Sequence, residues 1–167
     1  MAASIDNHIR HLEKQIRSLE DRMDKFVESS EAFRAKDEVL QSIPGVGPQV
    51  SRTLLAHLPE LGQGSRQTIT ALVGFAPYND DSGKESRSRH VGGGRGKVRL
   101  GLYQAAVVAI RYCAEIKAFY ARLKACGKAS KVALVAVARK LLAPANALIR
   151  TMKPCENRAN SVCPEKA

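Results

Sequence analysis

At 167 residues the chain has room for one ordinary domain and an appendage, and its 44% apolar content is enough for a core. Aromatics reach only 5% and Trp is absent, so that core must be an Ala/Leu/Val interior. The formal net charge of +11 sits in one block: Lys84–Lys153 carries sixteen basic and two acidic side chains, whereas Met1–Leu40 is net −2 and Gln41–Gly83 net −1, an asymmetry that favours a nucleic-acid partner over a merely soluble basic surface.

Cys113, Cys126, Cys155 and Cys163 show neither CxxC spacing nor paired histidines. That argues against zinc and for free thiols. No signal peptide is visible, and the longest apolar runs are broken by charge or Gly short of a membrane span. The expectation is a cytoplasmic protein with no membrane partner.

Ile5, Ile9, Leu12, Ile16, Leu19, Met23 and Phe26 are separated by 4, 3, 4, 3, 4 and 3 residues. This is a heptad seam with Ile9, Ile16 and Met23 at a, and with Leu12 and Leu19 among the d positions. Residues 1–40 therefore read as one coiled-coil helix that makes a homodimer through Ile9, Leu12, Ile16, Leu19 and Met23. The competing reading is a helix that packs the same stripe on its own domain. Ser30 and Asp37 then break the a positions.

The segment SIPGVGPQVSRTLLAHL places Gly45 and Gly47 between two helix-prone stretches, with Pro48 suited to the first turn of the second. It is similar to a helix-hairpin-helix element, whose turn offers backbone amides to a phosphate; a purely structural turn has equal standing. Pro59, Gly62 and Gly64 close the second helix, and Ser65 is positioned to cap a further one through Leu72. His57 stands alone and reads as a packing or surface residue.

Gly74–Tyr103 opens with the turn formers Pro77, Asn79, Asp80, Asp81 and Gly83, then carries Lys84, Arg87, Arg89, Arg95, Lys97 and Arg99. Gly92, Gly93 and Gly94 remove three side chains in a row, which would let backbone amides approach a ligand. Cations beside bare amides suit a phosphate backbone. Ser82, Ser86 and Ser88 lie in the same run, and a hydroxyl among arginines could attack a phosphodiester. His90 is the single candidate base, without a visible partner.

Beyond the loop, VRLGLYQAAVVAIRYCAEIKAFYARLKA is helical in composition, and Ala105–Ile110 is apolar all round, as in a helix buried on most faces. Gly127 punctuates it. A second helix follows, KASKVALVAVARKLLAPANALIR, which Pro144 should kink or interrupt. Tyr103 and Tyr120 fit a core better than a base-stacking surface. Lys117, Arg122, Lys124, Lys128 and Lys131 would extend the basic surface. Residues 41–153 thus form one domain, and 154–167 a flexible tail.

The order GFAP, DDSG, basic residues, GGGR, VR and LY, with IPGVGP before it and LKACGKASKVALVAVARKLL after it, resembles the C-terminal domain of one insertion-sequence transposase family. Its members carry an N-terminal DEDD-type domain, are related to Piv-type DNA invertases, and in several cases are guided by a bridge RNA. The resemblance covers Leu40–Lys153. It implies an all-α transposase domain that binds DNA, and a possible guide RNA, with Ser82 as the serine nucleophile joined to DNA and Ser86 or Ser88 as alternatives. The residues expected at nucleic acid are Gly45, Gly47, Lys84, Arg87, Arg89, Gly93, Gly94, Arg95, Lys97 and Arg99. In the family a four-acid DEDD cluster binds the divalent metal; Asp80 and Asp81 do not replace it. No metal or other cofactor is therefore expected in this chain, with Mg2+ confined to the DEDD domain. A truncated copy, inactive without that domain, is the expectation. The alternative is a non-catalytic nucleic-acid-binding or dimerisation module that assembles with a full-length transposase.

Overall fold

The computed structural model describes residues 2–78 and 90–155. The expectations for Ser82, Lys84, Ser86, Arg87, Ser88, Arg89 and the tail beyond Cys155 lie outside the described residues. The chain divides into two compact units, Met1–Ala35 and Lys36–Ala167.

The first unit holds α1 (Ala2–Glu28) and the start of α2 (Glu31–Gln41). At about 1.5 Å per residue, the 27 residues of α1 extend about 40 Å. The expected forty-residue helix is in fact two. Ser29 donates its hydroxyl to the Phe26 carbonyl at 2.7 Å, and the Ser30 amide turns back to the Val27 carbonyl at 3.3 Å. A serine hydroxyl that bonds nearby backbone offers the chain an alternative to continuing the helix. Phe26 and Phe33 meet across this break, ring centroids 5.9 Å apart and tilted by 58°, within the favoured range for aromatic pairs. All seven seam residues are exposed, from 44% at Leu12 to 64% at Phe26.

The second unit is all-α apart from one minimal ribbon. Its helices are the end of α2, α3 (Pro48–His57), α4 (Arg66–Val73), α5 (Gly96–Tyr112), α6 (Ala114–Ala125) and α7 (Ser130–Thr151). The two-residue strands β1 (Pro77–Tyr78) and β2 (His90–Val91) pair antiparallel, Pro77 with Val91 and Tyr78 with His90.

Helix α5 is the hub, packing against α3, α4, α6 and α7. Its inward positions are Val98, Gly101, Leu102, Ala105, Ala106 and Ala109, all buried. Small residues there let the neighbouring backbones come close, and the core takes its bulk from Leu40, Leu54, Leu58, Ile69, Phe75, Val137 and Leu142. In the stretch expected to be buried on most faces, Ala105, Ala106 and Ala109 are buried and only Val108 is exposed, at 42%. The single helix expected from Val98 onward also breaks: Cys113 adopts an extended conformation (φ −115, ψ 114) and separates α5 from α6. Gly127, in the left-handed region at φ +76, ends α6, and the Lys128 amide returns to the Leu123 carbonyl at 3.1 Å.

Helix α7 runs for 22 residues with Pro144 inside it, so of the expected kink or interruption the interruption does not occur. Proline removes the bond to the carbonyl four residues back, here that of Lys140, an exposed residue, and Pro144 is itself exposed. Leu141, Leu142, Ala145 and Ile149 are buried on either side of it and hold the helix together by packing. By length and composition α7 could cross a membrane. The apolar stretch therefore extends further than the sequence reading allowed, passing through Arg139–Lys140, and its buried face against α5 accounts for the composition. Tyr120 packs partly against the core, and Cys113, Cys126 and Cys155 are free thiols.

Three polar clamps fix the connections. Asp37, buried, accepts from the Ser51 hydroxyl and from Gln41 Nε2 at 2.7 Å, tying α2 to α3. Asn146 of α7 accepts from the Gly62 amide at 2.7 Å and donates to the Gly64 carbonyl at 3.1 Å, anchoring the turn after α3. Ser65 caps α4 as expected, its hydroxyl accepting from the Thr68 amide at 3.1 Å.

Candidate nucleic-acid interface

The glycine-rich segment meets the rest of the unit at the end of α4. Gly74 terminates that helix in the left-handed region (φ +81, ψ 30), its amide donating to Ala71 at 2.9 Å while the next amide, Phe75, donates to Thr70 at 3.0 Å. Buried Phe75 then pins the chain as it enters β1. The returning β2 leads into Gly92–Gly94, and the Arg95 amide donates to the Leu72 carbonyl at 2.9 Å. The strands that flank residues 79–89 are therefore paired to each other and tied to the junction of α4 and α5.

The glycines serve this junction. A Cβ on Gly94 (φ +62) would stand 2.5 Å from the Gly74 nitrogen, 2.6 Å from the Leu72 carbonyl and 2.7 Å from the Val73 carbonyl carbon. One on Gly74 would collide with the Gly93 carbonyl and come within 2.9 Å of that of Gly92. Those neighbours are backbone and cannot rotate away. Gly94 and Gly74 are small so that two backbones can touch, whereas nothing lies within 4 Å of where a Cβ on Gly92 would stand.

The cations divide into held and free. Arg95 grips Glu60 with both terminal nitrogens, the Nη2–Oε1 contact at 2.5 Å. The hydrogen-bonded guanidinium holds the Glu60 carboxyl down to a pKa of about 2 and raises that of Arg95. Arg99 donates to the Gly93 carbonyl and, at 3.5 Å, to that of Val73, so it staples the hairpin base to α4. Lys97, in the first turn of α5, is exposed. The structure thus brings Gly93, Gly94, Arg95 and Arg99 into one cluster.

Gly45 and Gly47 stand apart from that cluster and differ from each other. Gly45 (φ +83) packs on α5, where a Cβ would collide with the Ala105 carbonyl and lie 2.9 Å from the Ala109 nitrogen. Gly47 is exposed at the N-cap of α3, with Pro48 following and nothing near its Cα. Sequence reasoning missed Glu60, the sole acid between Gln41 and Tyr78, and it missed Gly74, whose signal was its place directly after an apolar helix. Among the described residues no three His, Cys, Asp or Glu side chains converge. The described residues therefore do not fit a divalent metal, and no step here passes through one.

Residues 37–121, from inside α2 to near the end of α6, match the Transposase IS116/IS110/IS902 family. The chain belongs to that family. It is also similar to the pilin gene-inverting proteins of Moraxella bovis and Moraxella lacunata, each 29% identical over an alignment of 161 residues that covers 92% of this chain and 49% of the relative. The chain spans about half the length of these curated relatives. The family match takes in the whole hairpin base: Gly74, the paired strands, the glycine run, Arg95 and Arg99.

Proposed function

We propose that the second unit is the DNA-binding and strand-transfer part of a transposase or DNA invertase, in which Ser82 attacks a DNA phosphodiester in a composite site with a DEDD metal domain. The observation that carries the reading is the locked hairpin base. Paired strands, a staple from Arg99 and backbone contact between Gly74 and Gly94 anchor both ends of the segment holding Ser82, Lys84, Arg87 and Arg89. Anchoring both ends keeps the segment at one place on the unit, beside Arg95 and Arg99. The inversion activity named for the Moraxella relatives supports the same chemistry.

In the proposed reaction the Ser82 Oγ bonds to phosphorus as a sugar oxygen departs, which keeps the phosphodiester's energy in the protein–DNA link for resealing. The arginines of the loop stabilise charge on the non-bridging oxygens. Serine is a weak nucleophile until a base takes its proton, and the loop's arginines cannot take it. That role falls to the acidic domain. Lys97 and the open amide at Gly47 hold flanking phosphates, and the seam of α1 pairs two copies.

Binding to duplex DNA across a salt series tests the DNA contact. Affinity should fall steeply, with a log–log slope of about −0.9 per phosphate neutralised, and Lys97→Ala should make it shallower by about one contact. A flat salt response would remove the nucleic-acid reading.

A further inference from the structure

The unit contains a cavity of about 490 Å³ that shares no residue with the glycine hairpin. It opens between the turn before α3, the start of α6 and the middle of α7. Leu141, Ala143 and Pro144 give it an apolar wall, while Arg66, Lys140 and Glu115 bring charge to it. Lys140 lines the cavity, and its ammonium lies 4.6 Å from the centre of the Phe119 ring. The volume falls within the usual range of ligand sites, about 300–1,000 Å³.

We infer that this cavity receives one unstacked nucleotide of a single-stranded nucleic acid. The inference rests on the reading of the unit as a nucleic-acid binder. The charge pattern selects the occupant: two cations suit a phosphate, an apolar wall suits the face of a base, and one carboxylate suits the N–H groups on a base edge. A duplex keeps its bases stacked and cannot fill the site. Single-stranded DNA, as exposed during strand exchange, and single-stranded RNA present the same chemistry, and the test separates them.

Fluorescence anisotropy of the full chain is measured with a fluorescein-labelled mixed-sequence 12-nucleotide DNA strand, its RNA counterpart, and the matching DNA duplex. Ala143→Trp fills the cavity without changing charge, and circular dichroism checks its fold. The expected result is about a tenfold loss of affinity for one or both single strands, about 1.4 kcal/mol, with duplex affinity unchanged. A loss restricted to DNA or to RNA names the source. Arg66→Gln, at an exposed position, serves where the filled variant misfolds, and should weaken single-strand binding several-fold more than duplex binding. Equal effects on strand and duplex, or none, would overturn the inference. Wild-type protein that binds duplex but no single strand overturns it alone, and protein that binds neither overturns the proposed function as well.

Discussion

Gly94→Ala should destabilise the second unit by about 2–3 kcal/mol. The magnitude has two parts. A residue with a Cβ at φ +62 costs about 1–2 kcal/mol over glycine. The added methyl would also lie 2.5–2.7 Å from the Gly74 nitrogen, the Leu72 carbonyl oxygen and the Val73 carbonyl carbon, so the strand must move away and lose the bond from the Arg95 amide to Leu72. One hydrogen bond is worth about 1 kcal/mol. Gly92→Ala is the control, since nothing lies within 4 Å of where its Cβ would stand, and it should change stability by under about 0.5 kcal/mol. Urea unfolding followed by circular dichroism at one protein concentration measures both, with the slope held constant so that midpoints report stability. If glycine were needed here only for ligand approach, Gly94→Ala would weaken DNA binding and leave the midpoint alone. Equal midpoints for the two variants would refute the backbone-contact reasoning.

Two further predictions rest on named contacts. Glu60 titrates near about 2 when folded against an ordinary value of 4.5, so its pairing with Arg95 stabilises the fold above about pH 4.5 and is lost as pH falls through about 2. Stability should therefore drop less steeply in Glu60→Gln than in wild type across that window, and identical urea midpoints from pH 5 to pH 2 would contradict it. The α1 seam should make the chain dimeric, because each aliphatic buried contributes about 1.5–3 kcal/mol, and Ile16→Asp should give monomers. Sedimentation that finds the wild type monomeric at tens of micromolar, about −6 to −7 kcal/mol, would end that idea.

What the sequence disclosed was local. The heptad spacing, the Ser65 cap and the Gly127 stop each depend on residues within a turn or two, and the helical character of the chain follows from them. The breaks at Ser29 and Cys113 carry no Gly or Pro, so composition alone ran the helices together. Pro144 does not interrupt α7, because packing on either side outweighs one missing hydrogen bond on the exposed face. Contacts distant in sequence were illegible: Arg95 finds Glu60 across 35 residues and Asn146 finds Gly62 across 84. A run of glycines looks the same whether it clears space for a ligand or for another backbone. At Gly94 the neighbouring helix end decides, and at Gly45 the alanines of α5 do.

The most direct measurement of the central claim is the mapping of a covalent protein–DNA adduct. The chain is mixed with the DEDD domain of a close relative, magnesium and a recombination substrate, and any adduct is located by peptide mass spectrometry. The adduct should map to Ser82, disappear in Ser82→Ala, and be absent when the DEDD domain is withheld, while duplex affinity of the variant stays near wild type. An adduct at Ser86 or Ser88 would move the nucleophile, and robust cleavage by this chain alone would contradict the composite site.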